Sequence, residues 1–313
     1  MLFSMSANLR VVFAGTPQNA ASTLETLVKQ GVNIVGVLTR KDAPVGRTRE
    51  LTPSPVAAKA HELGIEVFKA NIIDDAAQSW LEALRADIGA VVAYGTIFKQ
   101  PVLDVPRFGW LNVHYSLLPE LPGPAPVQHA ILQGRKHTGV TVFRLDTGID
   151  TGPIVASAEF DIKDTDTAGD LLAKLTEIGS DLLAKVLLAD EAKLALAKQQ
   201  SSKQEHQTAS KPTRELAKLD FGGDATTQLN MIRAMNPEPM AWFHFNETSI
   251  RVIRARLSSF SPGEAMASVM DKELVVGFRK GALVLELVQP AGKAQMSGAD
   301  WFRGLRVENL KLS

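Results

Sequence analysis

The sequence predicts a two-domain α/β protein: an open, mostly parallel, doubly wound N-terminal domain followed by a C-terminal OB-like β-barrel domain. Three observations carry that reading. Short apolar, β-branched runs alternate with amphipathic stretches through the first part of the chain, a Gln/Ser/Lys/His-rich stretch at 198–211 (KQQSSKQEHQTASK) breaks the pattern, and short strands separated by Gly, Pro and Ser turns follow it. The predicted boundaries are a first domain over 1–197, a linker over 198–211 and a second domain over 212–313. A length of 313 residues suits two domains.

Residues 9–14 (LRVVFA) read as a strand, GTP as a tight turn, and Asn19 to Gln30 as an amphipathic helix stopped by Gly31; NIVGVLT (33–39) then repeats the strand signature. That βαβ unit implies a parallel sheet, because parallel neighbours need a crossover connection. A polar, basic loop spans 40–52, and Pro53 with Pro55 opens a helix to about Leu63. Strands at 66–69, 88–93 and 110–114 with a helix at 74–85 continue the alternation, which makes the half Rossmann-like. TGVTVFRL (138–145) and residues 154–162 read as antiparallel additions, and 168–189 as a long helix with Leu and Ile on one face. Beyond the linker, a helix at 225–235 precedes strands at 242–245, 250–257, 273–277 and 283–288, a count that fits a small barrel.

The chain carries 34 Lys+Arg against 34 Asp+Glu and no cysteine. Without thiols, a disulfide framework, thiolate catalysis, Fe–S clusters and Cys-rich zinc sites are excluded. Balanced charge argues against a basic clamp spanning the whole protein, but the charge is unevenly divided: residues 1–200 carry 19 basic and 22 acidic side chains, a net of −3, and residues 201–313 carry 15 and 12, a net of +3. The N-terminal MLFSMSANLR has neither an apolar signal core nor an Arg-rich amphipathic run, and no apolar stretch reaches the ~20 residues of a membrane span. The expectation is a soluble, cytoplasmic protein.

Three segments are candidates for chemistry. GTPQ (15–18) stands where a dinucleotide fingerprint would, but it lacks the second and third glycines of GxGxxG and has a proline where an N–H could face phosphate. It is predicted to be only a tight βα turn. LDTGIDTGPI (145–154) holds two Asp-Thr-Gly triplets on one loop, which cannot build the two-lobed carboxylate pair of an aspartic protease. Asp146 and Asp150 therefore either bond local backbone in a turn or include one carboxylate aimed at a catalytic partner elsewhere.

The third segment, LNVHYSLLPELPGPAPVQ (111–128), is the richest. In a strand, Asn112 and His114 project from one face about 6 to 7 Å apart. They lie at the carboxyl end of a parallel strand, where open α/β sheets bind ligands. His61, His129, His137, His206 and His244 read instead as structural. Asn offers a neutral N–H to a developing oxyanion, His moves a proton near neutral pH, and a carboxylate beside it would hold the ring. With no cysteine and no GxSxG elbow, the set suits acyl transfer to an amine without a covalent enzyme intermediate.

The run NVHYSLLP (112–119), followed 38 residues after Asn112 by the Asp of GIDTGP (148–153), resembles the folate-dependent formyltransferases. Further similarity lies in VVFAGTP (11–17), DAPVGR (42–47), LTPSPV (51–56), VVAYG (91–95), IRAMNPEPMAW (232–242) and VQPAGK (288–293), and it covers nearly the whole chain. The resemblance implies formyl transfer from 10-formyltetrahydrofolate, a cosubstrate rather than a tightly bound cofactor, to the free amino group of initiator methionyl-tRNA. It makes Asn112 the oxyanion donor, His114 the proton-transfer residue and Asp150 its orienting carboxylate. It also implies a folate site formed by Ser116, Leu117, Leu118, Pro119, Ala93, Tyr94 and Gly95, lined further by the backbone of 144–150.

RNA contacts are implied for Arg40, Lys41, Arg47 and Arg49 in the loop 40–52, and for Lys211 and Lys293. The second domain becomes the tRNA-contacting one, with Lys203, Arg214, Lys218, Arg254, Arg256, Arg279 and Lys280 as further candidates. The resemblance implies a monomer without metal. A formyltransferase or formylfolate hydrolase acting on a small amine or water is the alternative. The chain departs from the family in having Ala43 in place of an Arg, Tyr115 in place of a small Gly, and Glu120 and Pro122 in an Arg-rich region.

Overall fold

The computed structural model of the chain describes residues 9–46, 48–189, 197–201, 208–307 and 309–312. The chain divides into two compact units. The first runs through Gly123 and adds His137–Asp161 and Leu172–Thr208, while the second takes Pro124–Lys136, Ile162–Leu171 and the chain from Ala209 onward. Two segments that precede the Gln/Ser/Lys-rich stretch in sequence thus pack with the second unit.

In the first unit, β1 (Arg10–Gly15), α1 (Gln18–Lys29) and β2 (Asn33–Thr39) form the predicted βαβ unit. Buried Ala20, Leu24 and Leu27 fall on one face of α1. A Cβ on Gly15 would lie 2.8 Å from the Cβ of Ala20 and 2.9 Å from the carbonyl oxygen of Val92, so glycine here lets helix and strand approach, and the turn serves packing. β3 (Ala43–Val45) and β4 (Glu50–Thr52) pair as a small antiparallel hairpin where the sequence predicts a plain loop. Three-residue strands with every side chain exposed leave no apolar periodicity to read.

Next come α2 (Pro55–Glu62), β5 (Val67–Lys69), α3 (Asp75–Ala83), β6 (Ile88–Val92), the short α4 (Gln100–Leu103) and β7 (Trp110–His114). Ser54 and Asp74 cap α2 and α3 by accepting the N–H groups of Ala57 and Ala77 at 3.0 and 2.9 Å. α5 (Pro126–Leu132) belongs to the second unit, and β8 (His137–Arg144), β9 (Ile154–Asp161) and α6 (Ala168–Leu187) follow.

The strand order is β5-β2-β1-β6-β7-β8-β9, parallel through β7 and antiparallel at the two added strands. The order reverses at β1, which has β2 on one side and β6 on the other, the switch point at whose carboxyl ends open α/β sheets bind ligands. β7 is anchored at its root by Trp110, which is fully buried, donates its indole N–H to the carbonyl of Val102 at 2.8 Å and packs edge-on against Phe98. Burial of a side chain this size contributes on the order of 3 kcal/mol. Gly89 leaves space for the ring, since a Cβ there would lie 2.0 Å from it. That anchoring holds the register in which Val91 pairs with Asn112, so the site residues emerge at the sheet's carboxyl edge.

The second unit contains α7 (Ala225–Ala234), β10 (Ala241–Phe245), β11 (Thr248–Ser258), β12 (Met266–Met270), β13 (Glu273–Gly277), β14 (Ala282–Pro290), β15 (Met296–Ser297), α8 (Gly298–Gly304) and β16 (Asn309–Lys311). Its strands form a curled antiparallel sheet in the order β10-β11-β14-β13-β12-β16, with β15 on β14. Phe221, Phe243, Phe278 and Trp301 lie in the core. IRVIRARL alternates imperfectly because the β11–β14 register shifts at Val252/Arg254 and again at Arg254/Ala255, which moves successive side chains off strict period two. β12, β15 and β16 escape sequence reading because they are short or lack alternation. Among the described residues, no helix is long and apolar enough to cross a membrane.

Candidate active site

Asn112 and His114 share one face of β7, opposite Phe143 and Thr141 of β8. His114 is buried at 5% exposure. Its Nε2 lies 2.9 Å from the carbonyl oxygen of Leu121, and because a carbonyl only accepts, Nε2 carries the proton. Nδ1 is then the nitrogen free to titrate, and it faces Oδ2 of Asp150 at 3.6 Å. Asp150 is fixed in turn: its Oδ2 accepts the backbone N–H of Gly123 at 2.7 Å. The ring stands edge-on to Phe143, with centroids 6.4 Å apart. Burial pushes the His114 pKa below the ordinary value, and the Asp150 carboxylate and the Leu121 carbonyl pull against that shift. Among the described residues, no hydrogen bond engages the side-chain amide of half-buried Asn112, which leaves its N–H donors open to a ligand.

The two Asp-Thr-Gly triplets part company. Asp146 accepts from Gly148 N at 3.0 Å and from the Thr151 hydroxyl at 2.8 Å, which is a local turn. Asp150 is the one aimed at His114.

The loop after β7 is pinned to β8 by Thr141, whose hydroxyl donates to Ser116 O at 2.7 Å and accepts from Leu118 N at 3.0 Å. Within it, the Ser116 hydroxyl donates to the carbonyl of Glu120 at 2.5 Å, the Leu118–Pro119 bond is cis, and Leu117 packs where Gly139 lacks a side chain. Tyr94 is buried, donates to Ala70 O at 2.7 Å, and has its pKa raised to about 12 by burial. Its ring lies in the core, while Ala93 and Gly95 on either side are exposed, at positive φ of 47° and 87°. Thr16 at the end of β1 donates to Tyr94 O at 3.0 Å.

Tyr115 points away from the catalytic face. Its hydroxyl accepts from the Asn19 amide at 2.9 Å and lies 3.4 Å from the Thr176 hydroxyl, joining β7 to α1 and α6. Leu121, Gly123, Thr141 and Phe143 had no signal in the sequence as site residues, except that Thr141 is a polar residue between two valines in a buried strand.

The predicted cations scatter. Arg40 reaches Asn71 Oδ1 at 3.4 Å, Lys41 and Arg49 are exposed, and Arg47 and Lys203 lie outside the described residues, as does His206. Arg254 and Arg256 pair with Glu286 and Glu273, and Lys280 with Asp224. Lys211, Arg214, Lys218, Arg251, Arg279 and Lys293 form no ion pair among the described residues. Of these, Lys218 and Arg251 flank Trp242 in one cross-strand row that continues to Gln289, and the Arg214 guanidinium lies 5.1 Å from the Trp242 ring centre. Of the remaining histidines, His129 bonds Ser210 O, His137 pairs with Asp161 and His244 packs against Trp242, while His61 is exposed on α2.

Residues 8–187 match the formyl transferase family model and residues 211–306 match that family's C-terminal domain. The chain belongs to the formyl transferase family. A methionyl-tRNA formyltransferase of Renibacterium salmoninarum is 42% identical over 301 residues, covering 95% of this chain and 97% of the relative. That of Thermobifida fusca is 40% identical over 304 residues, covering 96% and 97%. Among solved structures, an N-formyltransferase from Helicobacter canadensis in complex with folinic acid and dTDP-3-aminofucose has a TM-score of 0.62 at 21% identity, covering 88% of this chain and 98% of its own, a likeness of fold. The formyl transferase match contains Asn112, His114 and Asp150, and its C-terminal match contains the Lys218–Trp242–Arg251 row.

Proposed function

We propose that this chain transfers a formyl group from 10-formyltetrahydrofolate to the free α-amino group of initiator methionyl-tRNA, in the cytoplasm, without a metal. The observation that carries the chemistry is the placement of a buried imidazole, with its titratable Nδ1 facing the Asp150 carboxylate, on the same strand face as an uncommitted Asn112 amide. The acceptor follows the relatives from Renibacterium salmoninarum and Thermobifida fusca, both matched over 97% of their length and named for methionyl-tRNA.

The amine nitrogen bonds to the formyl carbon, the carbonyl oxygen becomes an oxyanion, and the C–N bond to the folate nitrogen then breaks. Asn112 donates an N–H to that oxygen as its charge grows. His114 and Asp150 together take the proton lost by the attacking amine and return it to the departing nitrogen. Leu121 holds the ring so that Nδ1 faces Asp150, and the 3.6 Å gap closes when a proton is shared between them. Folate supplies the activated formyl group, and the backbone of Ala93, Tyr94 and Gly95 with the 116–119 loop is suited to hold its flat ring system. Exposed Val45 and Leu51 on the β3–β4 hairpin offer apolar contact to a methionine side chain.

Incubation with labelled 10-formyltetrahydrofolate and charged initiator tRNA should yield formylmethionyl-tRNA. Transfer to a small amine or to water, uninhibited by tRNA, would overturn the acceptor.

A further inference from the structure

Asp150 has a left-handed backbone conformation, φ +55°, uncommon for a residue with a side chain although Asp adopts it more readily than most. Its surroundings include a residue far along the chain. The side-chain amide of Gln200 donates to the carbonyl of Asp150 and to the carbonyl of Gly152, both at 2.8 Å, so both hydrogens of one NH2 group are spent on the two sides of this turn. Gln200 is itself held in place, because Lys198 and Ile154 exchange N–H···O bonds, each 2.8 Å, in an antiparallel bridge. The turn has no slack on its other side, since a Cβ on Gly152 would lie 1.8 Å from the Arg144 carbonyl oxygen.

The backbone of Asp150 is thus fixed by Gln200 and its carboxylate by Gly123. We infer that Gln200 is a positioning residue for the reaction, holding Asp150 in the conformation that aims its carboxylate at His114. Without the two donors, the turn can relax toward negative φ and swing the carboxylate off the ring. The inference rests on the proton-transfer role proposed above for the His114–Asp150 pair.

Two measurements test it. The first needs no substrate: the titration of His114 followed by NMR in the full-length protein. A carboxylate beside Nδ1 favours the charged ring, so Gln200→Met, which removes both donors at similar length, lowers the titration midpoint of His114 if Asp150 moves away. The second is a double-mutant cycle on formyl transfer. Gln200→Met is expected to lower kcat at least about 10-fold with KM for donor and acceptor within about 3-fold, and to cost nothing further in the Asp150→Asn background.

An unchanged His114 midpoint, or an equal loss of kcat in both backgrounds, would refute a role through Asp150 and leave only a general structural one. If Gln200→Met does not fold, Gln200→Ala removes the same donors without adding charge and is read by the same two criteria. Failure of the wild type to transfer formyl to methionyl-tRNA would instead show in the acceptor assay, while the His114 titration still decides the geometry.

Discussion

His114 donates its Nε2–H to the carbonyl of Leu121, seven residues on in the loop that leaves β7, and this bond leaves Nδ1 as the nitrogen that exchanges protons. Asp150 has the smaller orienting part. Its closest approach to the ring is 3.6 Å, so it acts chiefly by its charge.

That arrangement dictates a pH profile. In the proposed reaction His114 must be neutral to take the amine's proton, and burial holds its pKa below the ordinary value of about 6.5. The acid limb of kcat/KM should therefore fall with a midpoint below 6.5, and Asp150→Asn should move it further down because the carboxylate's opposing pull is lost. For folding the sign is the same. Between the folded and unfolded pKa values the unfolded chain binds the extra proton, so the contribution of His114 is present above about pH 6.5 and is lost as the pH falls. A pH series of urea melts on wild type and His114→Gln should show the acid-side slope reduced in the variant.

Asn112→Ala is expected to lower kcat about 10²- to 10³-fold, the usual cost of removing one oxyanion donor, with little change in KM. No partner among the described residues depends on the amide, so the thermal midpoint should stay close to that of the wild type. Steady-state kinetics beside calorimetry separates this from a structural effect: an unchanged kcat would remove Asn112 from the mechanism.

Much of this site was legible in the sequence, for physical reasons that also mark where legibility stopped. Asn112 and His114 could be placed because period-two geometry puts them on one face and the βαβ order puts that face at the carboxyl edge. Asp146 and Asp150 occupy equivalent places in their triplets, and only their hydrogen bonds tell turn from site. Leu121 and Gly123 act through main-chain atoms, which any residue possesses. Gln200 lies in a stretch whose composition reads as linker, and nothing local records that its amide reaches the turn at Asp150. In the second unit, the bulged β11 blurred a strand that is nonetheless the longest there.

Tyr115, the bulky residue that follows β7, is expected to matter for stability and not for rate. Tyr115→Phe leaves the Asn19 amide without its acceptor and should cost about 1 kcal/mol. Because the ring points toward α1 and α6 and not toward the face bearing His114, kcat should stay within about 2-fold of the wild type. Denaturant melts and kinetics on the one variant check both halves of the claim; a large loss of kcat would show that β7 moves when this bond is cut.

The cations of the second unit divide into two groups with opposite expected behaviour toward RNA. Arg254 and Arg256 already face carboxylates of Glu286 and Glu273, so phosphate would have to compete with ligands in place. Lys218 and Arg251 stand in one row across the sheet with no such partner among the described residues, and Arg214 reaches over the same tryptophan. Each phosphate neutralised releases counterions, so the slope of log K against log salt falls by about 0.9 for every duplex contact removed. Lys218→Ala and Arg251→Ala should each weaken binding of methionyl-tRNA and flatten that slope by about one such step. Arg254→Ala should leave the slope unchanged. Binding measured across a KCl series distinguishes them, and equal slopes for all three variants would mean that the RNA backbone does not lie on this row.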